Sequence, residues 1–257
     1  MALLHSTFGI AARATASNRA QRALDRLVIR LNLLRGIGGD FGVVGTSGVF
    51  ADLKPGSVIF DIGANRGQFA QAAIASVKDV KLHCFEPSAA SFRDLELSVG
   101  SLARLNHCAL GHEVGSLTLY SDAVGSEMAS LYNRDLAHIG KAMSIEETVA
   151  VSTVDEYCAT HSIAHIDLLK IDVEGAEMDV LRGTTGMLGR RAIGCLIFEF
   201  GGTHLDSRVT LRDFYNFLQQ HGAKRIGRMT PTGWIAPADH YSESIDTYQA
   251  ANYVAWF

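Results

Sequence analysis

The sequence predicts an α/β fold, a mostly parallel sheet with helices on both faces. Two observations carry that prediction. Short apolar runs of strand length, such as SVIF at 57–60, LLKI at 168–171 and IGCLIF at 193–198, alternate with stretches of helical period, the pattern of a doubly wound sheet. Three of the runs end on an acid, Asp61, Glu86 and Asp172, at the carboxyl edge where such sheets bind ligands. With 257 residues and 47% hydrophobic side chains, the chain can bury a large core.

Taken in order, residues 16–35 predict a helix. Ala20, Leu24, Leu27, Val28, Leu31 and Leu34 form an apolar stripe on it. The stripe is expected to pack on the domain or lie over its active site. Gly36, Gly38 and Gly39 read as a helix stop and a flexible link. The chain therefore divides into an N-terminal helical extension or lid, 1–45, and a domain, 46–257. Pro55-Gly56 turns into a strand at 57–61, and helix 67–77 follows with Phe69, Ala72, Ala73 and Val77 on one face. The alternation continues with strand 80–85, helix 88–99, strand 102–109 and an alternating antiparallel strand, 116–120. Residues 121–147 are polar and aperiodic, a long loop with one helical turn at most, and loops of that length are usually functional. Strand 149–152 leads to a helix capped by Thr153. Strand 166–171, helix 176–182, strand 193–200, helix 211–221 and strands 225–228 and 252–257 complete the pattern.

Bulk chemistry narrows the function. A formal net charge of −4 lacks the footprint of a nucleic-acid partner. No apolar run approaches the ~18 residues that span a bilayer, so no membrane insertion is expected. Cys84, Cys108, Cys158 and Cys195 are not spaced for zinc and read as reduced thiols of a cytoplasmic protein. Residues 1–24 hold Arg13, Arg19 and Arg22 without an acid, as transit peptides do, but the helical stripe is the stronger pattern.

The sharpest motif is FDIGANRG at 60–67. An acid closes a buried strand, and glycines bare of Cβ let backbone approach a ligand. A dinucleotide site would read GxGxxG, with a helix N-terminus on the pyrophosphate. Here the spacing is GxxxG, and Asp61 would repel a pyrophosphate but suit an amine. That pattern prefers S-adenosylmethionine (SAM), with its cationic amine and sulfonium, over NAD. Glu86 in FEP can accept both hydroxyls of a ribose, a device that NAD enzymes share. In LKIDVEGAE, Lys170 and Asp172 alternate onto one strand face and should pair or bind something. Asp172, Glu174, Glu199 and His204 then form an acid/base set, a metal site or a structural ion-pair network.

These motifs resemble those of the FkbM family of SAM-dependent methyltransferases. The matching stretches are FDIGANRGQF, FEPS, NHCALG, SLYN, VSTVDEY and LLKIDVEGAEMDVLRG, spread over about 55–200 in the family's order. The resemblance implies a Rossmann-like class I methyltransferase fold, with a seven-stranded sheet whose last strand is antiparallel. It implies O-methylation of sugar or polyketide hydroxyls. Asp61, Gly63, Asn65 and Gly67 would form the SAM loop, Glu86 would hold the ribose, Asn106 to Ala109 would lie at the adenine, and Asp172 would face the methyl group. Ser130 and Asn133 would contact the cofactor from the long loop. Asp172 is the expected base, with Glu199 or His204 as substitute, or a divalent metal such as Mg2+ held by those acids. The acceptor would be a hydroxyl of a small molecule or glycan, and the apolar helix is compatible with a homodimer. An NAD-dependent oxidoreductase and a catalytically inactive SAM-fold module remain as alternatives.

Overall fold

The computed structural model describes residues 18–39 and 46–257. In chain order the strands are β1 (Val58–Ile62), β2 (Lys81–Phe85), β3 (Arg104–Asn106), β4 (Ala109–Leu110), β5 (Gly115–Ser121), β6 (Ile145–Ser152), β7 (Ile166–Ile171), β8 (Ile193–Phe200), β9 (Arg225–Met229), β10 (Ile235–Pro237) and β11 (Ala251–Trp256). The main sheet has the order β10-β9-β11-β8-β7-β1-β2-β3. Strand β1 is central and pairs in parallel with β2 and β7. As the resemblance implies, the last strand is antiparallel: β11 inserts between β8 and β9. Among the described residues the sheet has eight strands rather than seven, because β10 folds back antiparallel on β9.

Period-two alternation sends successive side chains to opposite layers. Phe60, Leu169 and Phe198 enter one core with Phe85 and Phe214. Ile59, Leu168 and Ile197 enter the other with Phe69 and Leu95. Each such side chain contributes about 1.5–3 kcal/mol by leaving water. Three α-helices start on a capping side chain, that of Ser88, Thr153 or Thr210. Thr153 Oγ1 accepts from Glu156 N at 3.0 Å, and Thr210 with Asp213 forms a capping box for helix Leu211–Gln220.

Further expectations change. The run 102–109 is not one strand: β3 extends the main sheet beside β2, while β4 joins a small second sheet of order β4-β6-β5. The chain changes sheets at His107-Cys108, which carries β4 to β6 next to the sheet's carboxyl edge. The N-terminal helix forms, over Asn18–Leu34, but it does not lie on the domain. Leu27 is 52% exposed and Leu34 68%, and Leu24, Val28 and Leu31 are exposed as well.

The helix is fastened to the domain at its C-terminal end. Gly36 is buried at φ 79°, and a Cβ on it would stand 1.8 Å from Met229 O. Arg228 Nε donates to Arg35 O at 2.8 Å, and Gly38 N donates to Ala250 O at 2.7 Å. The glycine segment is therefore a clamp rather than a flexible link. The domain boundary at 45 and most of the transit-peptide-like segment lie outside the described residues. Among the described residues no helix is long and apolar enough to cross a membrane.

Candidate active site

The site begins where β1 and β7 end side by side. Asp61 is fully buried, and Lys170 Nζ lies 3.0 Å from its Oδ1 and 3.5 Å from Asp172 Oδ2. The same ammonium donates to Gly63 O at 3.0 Å. Burial raises the Asp61 carboxyl above the usual range, and Lys170 opposes that rise. Burial works against the Lys170 charge too, but Asp61 and Asp172 outweigh it and hold the ammonium above its ordinary range. Two acids thus share one ammonium, which leaves room for a cation and none for a phosphate. Among the described residues Asp61 Oδ2 accepts no hydrogen bond, nor does the buried Asn65 Oδ1. Such orphaned acceptors fit the amine of SAM.

Gly63 admits the close approach. It sits at φ 77°, and a Cβ there would come within 1.8 Å of Asp172 O. Asn65 follows in the left-handed region at φ 46°. Its N–H donates to Glu86 Oε2 at 2.8 Å, while Ser88 N donates to Oε1 at 2.8 Å. Burial pushes Glu86 up to about 7 against those two N–H groups. Glu86 is thereby aimed by backbone.

Two clefts open at this edge and meet. The first, about 540 Å3 including its mouth, is lined by Glu86, Ala109, Leu119 and Leu131 among others. The second holds Gln68, Phe69, Glu199 and Asn252. Gly63, Asn65, Glu127, Asp172 and Glu174 line both. Asp172 therefore stands at the junction.

The turn after Asp172 is strained. Glu174 holds φ 58° and Gly175 φ 110°, and non-glycine residues in that region cluster at functional sites. Arg134 Nη1 holds Glu174 Oε2 at 2.7 Å, and Ser130 Oγ donates to Glu174 O at 2.7 Å. Burial, then Asp172, pushes Glu174 up to about 8 against Arg134.

The structure brings Asp61, Gly63, Asn65, Glu86, Ala109, Asp172 and Glu199 to the two clefts or directly beneath them. Four expected residues serve otherwise. Gly67, at φ 87°, starts helix Gln68–Ser76, where a Cβ would stand 3.0 Å from the Leu95 and Ser98 side chains. Asn106 Nδ2 donates to Cys84 O at 2.9 Å, so its side chain braces the sheet edge rather than facing a ligand. Ser130 is buried and pins the loop to Glu174. His204 is not at the clefts: its Nε2 meets Glu177 Oε2 at 2.9 Å, with both side chains sealed from solvent. The short helix His204–Ser207 turns the ring under the sheet edge, against Phe200 and Phe214. The metal expectation lacks a ligand set. Among the described residues no three His, Cys, Asp or Glu converge for one. Sequence reasoning missed Glu127, Arg134 and Asn252. Asn252 had a readable signal, an amide inside the apolar run ANYVAW.

Comparison with known proteins follows the same lines. The sequence profile of the methyltransferase FkbM domain matches residues 61–225. The 31-O-demethyl-FK506 methyltransferase FkbM of Streptomyces tacrolimicus is 31% identical over 159 residues, 51% of this chain and 61% of that protein. The 2-O-methyltransferase NoeI of Sinorhizobium fredii (strain NBRC 101917 / NGR234) is 27% identical over 141 residues, 51% of this chain and 58% of that protein. The chain thus spans about six-tenths of the length of these curated relatives. The solved structure of a TehB-like SAM-dependent methyltransferase from Corynebacterium glutamicum superposes with a TM-score of 0.46 at 12% identity, covering 96% of this chain and 98% of that one. The profile takes in Asp61 at the end of β1, the Glu86 strand end and the Asp172 turn, and the chain belongs to the FkbM methyltransferase family.

Proposed function

We propose that the chain is a SAM-dependent O-methyltransferase acting on a hydroxyl of a small molecule or glycan. The observation that carries this reading is the position of Asp172 in the walls of both clefts. The first cleft is the cofactor groove and the second the acceptor chamber. Glu86 takes the ribose hydroxyls, the Asp61–Lys170 pair faces the amino-acid end, and Gly63 keeps backbone low beneath it. Bound SAM supplies an activated methyl group for in-line transfer. The chain's own part is to align a hydroxyl, exclude water and remove one proton. Alignment can supply about 7–11 kcal/mol of the barrier, and a positioned base about 10²–10⁴-fold.

Asp172 is that base, and Glu199, which lines the same chamber, its substitute. Glu199 and Asn252 are cross-strand partners between β8 and β11, and Asn252 Nδ2 is buried with no partner among the described residues. An acceptor hydroxyl can take a hydrogen bond from that amide while a neighbouring hydroxyl donates to Glu199. The O-methyl chemistry in the names of the two curated relatives agrees with such an acceptor.

The test is Asp172→Asn, assayed for methyl transfer and for S-adenosylhomocysteine (SAH) binding. Turnover should fall by about 10²-fold or more with SAH affinity retained. Full turnover would remove Asp172 from the mechanism, and a wild-type protein that fails to bind SAH would remove the cofactor.

A further inference from the structure

We infer that helix Asn18–Leu34 is an interfacial anchor that docks the chain on an anionic lipid surface. Three observations lead there. The first is an uncovered apolar ridge. At about 3.6 residues per turn, Ala20, Leu24, Leu27, Leu31 and Leu34 fall along one line with Val28 beside it, and the large side chains are all exposed. The helix runs about 25 Å at 1.5 Å per residue, so this is a continuous strip rather than scattered leucines.

The second is charge. Arg19, Arg22, Arg26 and Arg30 form the adjacent ridge, all exposed, and among the described residues none meets a carboxylate. Asp25 is the helix's one acid, and it already accepts from Gln21 Nε2 at 3.1 Å. A leucine ridge edged by arginines is the form of a helix lying in the plane of a lipid interface. A second copy of the chain is a poorer occupant. Antiparallel pairing across a two-fold axis sets the arginine flank against itself, and parallel pairing offers one acid to four arginines. Phosphate headgroups supply the missing negative charge.

The third is position. The clamp at Gly36 presses on Met229 and Thr230, where β9 ends, and Gly38 is tied to Ala250, where β11 begins. That is the carboxyl edge of the sheet, where the Glu199 and Asn252 chamber opens. Thr230 in turn holds Trp234 O at the tip of the next turn, and Trp234 is 63% exposed. Exposed Leu205 lies on the same edge, just beyond β8. Tryptophan favours the membrane–water boundary. Helix, tryptophan and leucine make the acceptor edge the membrane-facing edge.

The experiment is co-sedimentation of the full chain with vesicles of equal parts phosphatidylglycerol and phosphatidylcholine, against phosphatidylcholine alone. Trp234 emission is followed in parallel. Binding is expected to the anionic vesicles, weakened by salt, with a blue shift that Trp234→Phe removes. Each arginine at such a surface is worth about fivefold in partitioning, so Arg22→Gln with Arg26→Gln should weaken it by roughly 25-fold. Leu27→Asp with Leu31→Asp should abolish it without lowering the melting temperature, since both side chains are already in water. SAH affinity should be unchanged in every variant, which keeps this test separate from that of the reaction. Absence of sedimentation, or equal binding by the arginine variant, overturns the inference. So does a lipid-free dimer that the leucine variant dissolves.

Discussion

Replacing His204 with alanine should unfold the protein more easily without removing its chemistry. His204 Nδ1 accepts from Gly201 N at 3.3 Å, and Nε2 lies 2.9 Å from Glu177 Oε2. Glu177 Oε1 accepts from Val173 N and Oε2 from Gly175 N, each at 2.9 Å. Burial alone would raise Glu177, but His204 and these N–H groups hold it below the usual range. Without the ring, a buried carboxylate loses its partner, at about 3–5 kcal/mol. The ring's contacts with Phe200 and Phe214 are lost too. At about 2–4 °C per kcal/mol for a chain near this size, the melting temperature should drop by roughly 6–20 °C in a calorimetric scan. His204→Phe keeps the ring contacts and lacks the ring nitrogen beside Glu177, so it should also melt early. Turnover measured well below the transition should fall far less than in Asp172→Asn. Unchanged melting with turnover cut by about 10²-fold would refute this reasoning and restore His204 as a catalytic residue.

Three further outcomes follow from the same geometry. Burial pushes Glu86 up to about 7, and ribose hydroxyls favour its ionised form. SAH affinity should therefore rise about tenfold per pH unit below that value and level off above it, with proton uptake by buffer seen in calorimetry. A flat profile that matches Glu86→Gln would count against the ribose role. Gly63→Ala places a Cβ 1.8 Å from Asp172 O and should remove the thermal shift given by SAH; wild-type affinity would sink the close-approach argument. Asn252→Ala loses one acceptor hydrogen bond and should raise the acceptor KM by about tenfold with SAH affinity intact, whereas an unchanged KM would clear Asn252 of any role.

Much of this was legible in the sequence, for reasons that also mark its limits. Strands β1, β7 and β8 are buried on both faces and read as mostly apolar runs, so an acid at the end of one stands out. The pairing of Lys170 with Asp61 joins strands far apart in the chain, and no local pattern encodes it. His204 follows Glu199 closely in sequence, yet the turn between them faces one to the chamber and the other to the core. The N-terminal helix was readable from its period. What covers its stripe was not, because amphipathicity states that a face is apolar and not against what it rests. The split at His107-Cys108 escaped because either half alone suits a strand.

The contact between Gly63 and the Asp172 carbonyl has a consequence for inheritance. The two peptides touch across neighbouring strands, so neither turn can change shape unless the other changes with it. Gene fragments exchanged with a relative at a crossover between them would unite two turns with separate histories. Such chimaeras should fold and bind SAH when both parents share this contact, and fail when only one does. Crossovers outside that stretch should be tolerated. The smallest transferable unit of this site is thus set by a single van der Waals contact rather than by the length of either motif.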